Sequence, residues 1–394
     1  MKNVGTIVRG IRTPIIKEND NLEDIVVSSL ITASETDNFE FNDKDVVAIT
    51  EAVVGISEGN FATLDDIALD IKNKLNSNHI GLVFPILSRN RFAVLLSAMA
   101  RSTKKITLLL SYPSDEVGND ILYKEDLKKY DINPYSHIIT YEEYMDKFHR
   151  FMHPFTGVNM VDIYKELIEN EGCEAEIILS NNASDILKYT KDVIACDIHT
   201  REETKELLKN LGANVIGMTD ILNKSVNNSG YNEKYGLLGS NRATEERVKL
   251  FPRTGQTLVE NIQKRLKEET GKNIEVMVYG DGAFKDPVGH IWELADPVVS
   301  PAYTKGLEGS PNELKLKYLS ENKFKDLKGE ELKKAIKEEI KRKNSNLKGT
   351  MASQGTTPRR YTDLLGSLCD LTSGSGDKGT PVVLVQNYFT NYSD

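Results

Sequence analysis

At 394 residues the chain is long enough for two or three domains of about 100 to 200 residues each. Its 39% hydrophobic and 28% charged residues exclude a disordered or membrane-embedded composition. A net charge of -9 argues against a general nucleic-acid surface, which needs clustered Lys and Arg without compensating acids, but leaves room for small anionic ligands held locally.

The N-terminal MKNVGTIVRGIRTP has no apolar core of signal-peptide length, and no run of about 18 apolar residues follows, so no membrane span is expected. VGTIVRGI and DVVAITEAVVGI are β-branched runs bounded by turn residues, and the amphipathic Leu22–Thr36 lies between them, which predicts strand, helix, strand. A helix over 63–76 follows. From His79 the pattern changes: HIGLVFP, a helix near 91–101 and KKITLLLSYP make a strand, helix, strand unit of doubly wound type.

A polar stretch over 114–157 precedes the same alternation: AEIILSN, a helix over 183–191, DVIACDIH and a helix over 201–211. Thr200 and Glu203 have capping-box spacing there, and Gly212 is placed to stop the helix before NVIGM. SVNNSGYNEKYG reads as the connection back. The remainder holds the amphipathic Gly255–Thr270, the strand NIEVMVY, a loop-rich stretch through Gly309 and a Lys/Glu-rich helical region over 312–343, with Leu332, Ile336 and Ile340 at helical spacing. Residues 79–222 are therefore expected to form an α/β domain inserted between 1–78 and 223–394.

Cys173, Cys196 and Cys369 show neither CxxC nor Cys/His ligand spacing, so no disulfide framework or zinc module is expected and a reducing cytoplasm fits. Four stretches have residues suited to chemistry. VMVYGDGAFKDP ends a strand on a glycine-flanked Asp281, a candidate Mg²⁺ ligand, with Lys285 and Asp286 close behind; an ordinary charged turn is the other reading. SGSGDKGTP, with Lys378, offers consecutive backbone N–H groups to an anion or is a flexible hairpin before PVVLVQNYF. In YGLLGSNRATEE, Ser240 and Asn241 are hydrogen-bonding candidates for a nucleotide, while Asn241 or Thr244 is equally suited to cap a helix. QGTTPRRYTD has adjacent Arg359 and Arg360, suited to a carboxylate or phosphate or to surface ion pairs. LSRNR at 87–91 lies at a strand-to-helix turn, the usual binding edge of a doubly wound sheet. His149 and His153, and Cys196 with His199, make poor metal or dyad candidates.

GTIVRGIRTPIIKENDNL and KDVVAITEAVVGISEGN at the front, then GLLGSN, VMVYGDG and SLCDLTSGSGDKGTPVVLVQ, resemble in order and spacing the coenzyme F420-0:L-glutamate ligase (γ-glutamyl ligase) family, over about residues 4–76 and 230–394. Residues 79–222 make the chain similar to a longer, bacterial form. The resemblance implies a mixed α/β (α+β) ligase-like fold and a cytoplasmic homodimer that uses GTP with Mg²⁺ or Mn²⁺. It implies that the γ-phosphate of GTP activates a carboxylate as an acyl phosphate, which the amine of L-glutamate converts to an amide.

Carried over by position, the resemblance implies nucleotide contacts at Ile11, Arg12, Thr13, Pro14, Glu51, Ala52 and Asn241. It implies a nucleotide and metal loop over Gly374, Ser375, Gly376, Asp377, Lys378, Gly379 and Thr380, and a metal ligand at Asp281 followed by Gly282. Asp281, Lys285 and Asp286 are the expected catalytic corner. Three positions depart from the family: Leu238 replaces a second metal aspartate, Ile56 a phosphate-facing lysine, and Ser375 a longer metal-contacting side chain. Asp286, Lys285, Glu51 or Glu58 are the residues placed to compensate. The other readings are a ligase-fold binding or regulatory protein without turnover, and an enzyme whose main site lies in 79–222, around 88–91 and 111–116.

Overall fold

The computed structural model describes residues 4–89, 91–154, 156–281, 297–354, 359–372 and 376–394. In chain order its strands are β1 (Ile7–Ile11), β2 (Val46–Thr50), β3 (Phe61–Thr63), β4 (His79–Val83), β5 (Lys105–Leu110), β6 (Ile139–Thr140) and β7 (Glu174–Leu179). They continue as β8 (Asp192–Ala195), β9 (Asn214–Gly217), β10 (Asn241–Arg242), β11 (Arg247–Lys249), β12 (Glu275–Tyr279), β13 (Ala302–Tyr303) and β14 (Val382–Gln386). The helices used below are α1 (Leu22–Thr36), α2 (Glu51–Ser57), α3 (Leu64–Leu75), α4 (Phe92–Arg101), α5 (Lys124–Lys129), α6 (Tyr141–Lys147), α7 (Met160–Asn170), α8 (Arg201–Asn210) and α9 (Gly255–Thr270).

Apolar runs with no polar alternation are the pattern of strands covered on both faces, and two sheets are built from them. A five-stranded sheet has the order β1-β14-β2-β12-β13, with β2 and β12 parallel. Val47, Ile49, Val276, Val278, Val382 and Leu384 face α1 and α9, whereas Val46, Ala48, Met277, Val383 and Val385 face the helix Tyr361–Thr372 through Leu365 and Cys369. The alternation is the period of two along each strand, and it makes three layers.

A six-stranded sheet has the order β6-β7-β5-β4-β8-β9, parallel except for β6 at the edge. The chain runs outward from β4 to β7 and then returns to β8 on the other side of β4, which puts the topological switch point between β4 and β8. Leu82, Leu108, Ile177 and Ile194 pack under α4 and α7; Val83, Leu109, Ile178 and Val193 pack under α8 and a 3-10 turn over Ala183–Lys188. The core on the α4 side continues through Ile67 and Ile71 of α3 and through Leu237, Leu238, Val248 and Leu250. Elements on either side of residues 78 and 222 therefore share one core.

Several local expectations hold because capping residues fix the ends. α1 begins where Asn21 accepts from Asp24 N–H, and α3 has a reciprocal Thr63/Asp66 capping box and a left-handed Asn76 after its last turn. Others are corrected. DVVAITEAVVGI is not one strand: it turns at Thr50, and EAVVGIS is helical. The helix expected over 183–191 is a 3-10 turn. Thr200 does not cap α8; its hydroxyl donates to Asp197 instead. The polar stretch over 114–157 contains α5 and α6, and α7 was unanticipated. The region 312–343 is broken, with Gly329–Arg342 as its regular helix and Ile336 and Ile340 buried. Among the described residues no helix is long and apolar enough to cross a membrane.

Candidate functional site

Pairing register lines up Ile11, Val382, Ile49 and Val278 in one row across β1, β14, β2 and β12. The residues next past that row leave one edge of the sheet together: Arg12, Thr13 and Pro14 after β1, Gly376 to Pro381 before β14, Thr50, Glu51 and Ala52 after β2, and Gly280 and Asp281 after β12. Backbone bonds tie these turns to one another, since Thr13 N–H donates to Gly379 O (3.2 Å) and Thr50 N–H to Pro381 O (3.0 Å). Four stretches remote in sequence become neighbours because four strands end in register.

At the β1 end the edge opens into a cleft of about 1030 Å³, lined by Arg12, Thr13, Lys378 and Thr380 on the sheet side and by Ser28 and Thr32 of α1. Arg12, Asp377 and Lys378 are exposed, whereas Ile11 and Thr380 are buried. Arg9 holds the cleft wall, with its guanidinium 4.6 Å from the Phe39 ring and bonded to Gln386 Oε1.

The middle of the edge is an ion pair. Lys249 Nζ lies 2.5 Å from Glu51 Oε2, and the side chains are only 7% and 9% exposed. Lys249 is on β11, opposite Asn241 of β10, so the hairpin brings Asn241 towards the same edge. Asn241 caps no helix, because a strand hairpin follows; its Oδ1 accepts from Arg242 N–H. Gly55 lets α2 approach this hairpin, since a Cβ there would lie 2.9 Å from Leu250 O. Glu51 is therefore committed to Lys249, and Glu58 to the start of α9, where it accepts from Arg253 N–H and from Thr254 N–H and Oγ. Both candidate compensating carboxylates thus have structural partners in this fold.

At the β12 end Asp281 Oδ2 lies 2.5 Å from Arg91 Nη2, with side chains 33% and 17% exposed. Arg91 directly precedes α4, so it arrives from the six-stranded sheet. Arg91 also lines, with Leu238 and Ser240, a crevice walled by Ile86, Phe92 and Ile198 at the carboxyl ends of β4 and β8. That crevice is the switch point, and about 30 Å³ remains in it, room for about one water. A substrate there would have to displace the turn carrying Leu237 and Leu238. The turn itself needs glycine: Gly236 has φ +52, and a Cβ on it would lie 2.5 to 2.7 Å from three carbonyl oxygens.

The family model for F420-0:gamma-glutamyl ligase matches residues 10–387. The chain belongs to that family. The match is wider than the segments 4–76 and 230–394 and includes 79–222. No curated protein matches the chain.

Within this ligase family member, the two-aspartate metal site implied by the resemblance does not fit the described residues. Position 238 is a leucine, 3% exposed and packed in the crevice core, and Asp281 is engaged by a guanidinium. Among the described residues no cluster of three or more His, Cys, Asp or Glu could hold a metal ion. Gly282, Lys285, Asp286, Gly374 and Ser375 lie outside the described residues.

Other candidates are elsewhere. His149 pairs with Asp162 (2.7 Å) and His153 with Asn119 (3.2 Å), as structural contacts. Cys196 is buried, its thiol pushed well up by burial, and His199 is exposed. Lys249 was missed because nothing in RVKL marks it, and Arg91 was placed in an anion-binding turn without its partner.

Proposed function

We propose that the protein is a GTP-dependent γ-glutamyl ligase that forms an amide between a carboxylate acceptor and L-glutamate. The observation that carries this reading is the single sheet edge to which the strand register delivers 11–14, 50–52, 280–281 and 376–381 in a chain of the ligase family. Three strand spacings of about 4.8 Å make that edge roughly 14 Å long, enough to lay a triphosphate beside a second reactant.

The nucleotide is assigned to the cleft beside β1, with Arg12, Lys378, Thr380 and the backbone N–H groups of Asp377 and Lys378 facing its phosphates, and Asn241 and Ser240 approaching from the hairpin side. A carboxylate oxygen of the acceptor attacks the γ-phosphorus and GDP leaves, giving an acyl phosphate. The glutamate amine then attacks the acyl carbon, phosphate leaves, and the amine proton passes to a base. Positioning and neutralisation of phosphoryl charge supply most of the catalysis in such transfers. Mg²⁺ or Mn²⁺ is proposed only as the ion accompanying the triphosphate, with no ligand from position 238. Residues 79–222 are proposed as an inserted α/β unit, the chain as a cytoplasmic homodimer, and the acceptor as something other than the F420 precursor, a folate-like carboxylate among the candidates.

The test is incubation with GTP, L-glutamate and a panel of carboxylates, reading phosphate release and product mass. The expected outcome is release that requires both acids and a product of acceptor plus glutamate less water. GTP at about 100 times its Kd should also stabilise the protein by about 2.7 kcal/mol, seen as a raised Tm. Absence of both phosphate release and a thermal shift up to millimolar GTP would sink the ligase reading and favour a different ligand. Lys378→Ala is expected to weaken GTP binding about tenfold, one charge-assisted hydrogen bond, with Tm of the free protein unchanged because Lys378 is exposed.

A further inference from the structure

Beyond Arg12 and Lys378, the wall of the cleft beside β1 continues to Arg9, Thr36, Asp37 and Phe39. Arg9 lies two residues before Ile11 and so on the same face of β1, towards α1. It is fixed from two sides. Its guanidinium carbon stands 4.6 Å over the Phe39 ring, which Phe41 braces edge-on at 5.6 Å. It also donates to Gln386 Oε1, and the Gln386 amide donates in turn to Asp45 Oδ2 (2.6 Å) and Glu40 O (2.9 Å). Gln386 and Asp45 are 3% and 1% exposed, so a buried relay sets the plane of a guanidinium in the cleft wall.

A guanidinium seated on one ring turns its opposite face to a second planar group, the way arginines stack nucleobases. Arg9 is held by a neutral amide and a ring, not by a carboxylate, so its charge is not neutralised by an ion pair. From Arg9 to Arg12 is three residues, about 10 Å of extended chain at about 3.3 Å each, a span that a ribose and its first phosphate bridge. At about 1030 Å³ the cleft has room for a whole nucleotide, since pockets for ligands of that size measure about 300–1,000 Å³.

The end of α1 supplies the edge of this subsite. Glu35 and Asp37 stand there with no basic residue in the last turn, which puts two carboxylates at the negative end of the helix dipole at a cost in stability. Asp37 is exposed to the cleft, and an ionised carboxylate only accepts hydrogen bonds. Thr36 Oγ1 donates to Thr32 O (2.9 Å), which leaves its oxygen an acceptor as well. An acceptor-only edge suits a ring with adjacent N–H and NH₂ donors, as in guanine and other 2-amino-4-oxo pyrimidines. It does not suit adenine, whose ring nitrogen at that edge is itself an acceptor.

We infer that this end of the cleft receives a planar 2-amino-4-oxo ring, which stacks on Arg9 and donates its N–H edge to Asp37. The separation from Arg12 assigns the ring to the guanine of the nucleotide, ahead of a ring carried by the acceptor. Arg9 on Phe39 is then a platform for any purine, and Asp37 is the residue that selects guanine over adenine. The inference rests on the ligase reading for the phosphates at Arg12 and Lys378, and not on amide formation.

The experiment titrates the full-length protein calorimetrically, with Mg²⁺ present, using GTP, ITP, ATP, inorganic tripolyphosphate and pterin-6-carboxylate, with Asp37→Asn and Arg9→Lys beside the parent. GTP is expected to bind the parent at least tenfold more tightly than ATP, and severalfold more tightly than ITP, which lacks the 2-amino group. Asp37→Asn should weaken GTP about tenfold, leave ATP and tripolyphosphate unchanged and remove the preference for GTP over ITP. Its Tm without ligand should equal or exceed the parent's, because a negative charge leaves the helix C-terminus. Arg9→Lys should weaken GTP and ATP severalfold alike, since the plane is lost while the charge is kept, with tripolyphosphate unchanged. If Arg9→Lys fails to fold, the exposed substitution Asp37→Asn still reads the site.

The inference is overturned by equal affinity of the parent for GTP and ATP, by a GTP-to-ITP ratio that Asp37→Asn leaves as it was, or by tripolyphosphate affinity that falls with Arg9→Lys as far as GTP affinity does. Asp37-dependent binding of pterin-6-carboxylate beside Asp37-independent binding of GTP would overturn the assignment to the nucleotide and give the ring site to the acceptor. Asp37-dependent GTP binding without any amide product would remove the ligase reading and leave this one standing. Amide formation that GTP and ATP support equally would do the reverse.

Discussion

Glu51 and Lys249 illustrate how a single charge is settled by its surroundings. Both side chains are more than nine-tenths buried and 2.5 Å apart, so each ion's desolvation is offset by the other. Removing one partner leaves the other charge buried, which is costlier than removing both. Lys249→Met is therefore expected to destabilise the protein by about 3–5 kcal/mol, and the double variant Glu51→Gln with Lys249→Met to recover much of that in urea unfolding. A double variant no more stable than Lys249→Met would refute the pairing argument. Leu238 makes the complementary point: it shares its crevice with Ile86, Phe92, Leu95, Ile198 and Met218, so a leucine packs there at no desolvation cost, and Arg91 is the charged residue of that lining.

At the scale of elements, Arg101 at the end of α4 ties three others together. Its guanidinium donates to Glu171 beyond α7 (2.8 Å), to Glu246 in the β10–β11 turn (2.6 Å) and to Asp65 of α3 (3.1 Å). Glu246 and Asp65 are mostly exposed, which screens their share, so Arg101→Met is expected to cost only about 1–2 kcal/mol in chemical denaturation. The loss should be largely abolished in high salt if charge is the main contribution. Elements were readable from sequence where a strong period met a cap: α1, α9 and α3 fall where the pattern puts them. DVVAITEAVVGI was not, because a β-branched run satisfies strand and buried helix alike until the sheet edge ends it at Thr50. α7 was passed over although Asn159 caps it and Met160, Val161, Tyr164 and Ile168 form a buried stripe at helical spacing.

For the whole molecule, the carboxylates around the switch point make stability depend on pH. Asp197 is fully buried, accepts from the Thr200 and Thr204 hydroxyls, and has its pKa raised chiefly by burial; Asp115 and Glu116 are raised for the same reason. A raised carboxyl pKa contributes stability that is complete below the ordinary carboxylate range, about 4, and is lost as pH rises through the folded-state value. Asp197→Asn keeps a hydrogen-bond acceptor for the threonines and does not titrate. The parent protein should therefore lose stability relative to Asp197→Asn as pH rises from about 4 towards neutrality, measured by urea midpoints at several pH values. A difference that stays flat with pH would contradict the assignment.

Local periodicity, caps and the order of motifs survive without coordinates, so the strongly patterned segments, the doubly wound alternation from His79 onward and the family were legible in the chain. The resemblance also assigned 11–14, 51–52, 241, 281–282 and 374–380 to one nucleotide and metal site. Strand pairing is what brings the described ones together: the in-register row Ile11, Val382, Ile49 and Val278 sets their turns along one edge. Tertiary packing alone supplied the partners Lys249 and Arg91, which lie 198 and 190 residues from Glu51 and Asp281. Contacts of that separation leave no periodic trace in a single chain. The Lys249 contact exists because β11 pairs with β3 beside α2, and the Arg91 contact because the start of α4 reaches the end of β12; a sequence records the residues on both sides of such an interface without recording that they meet.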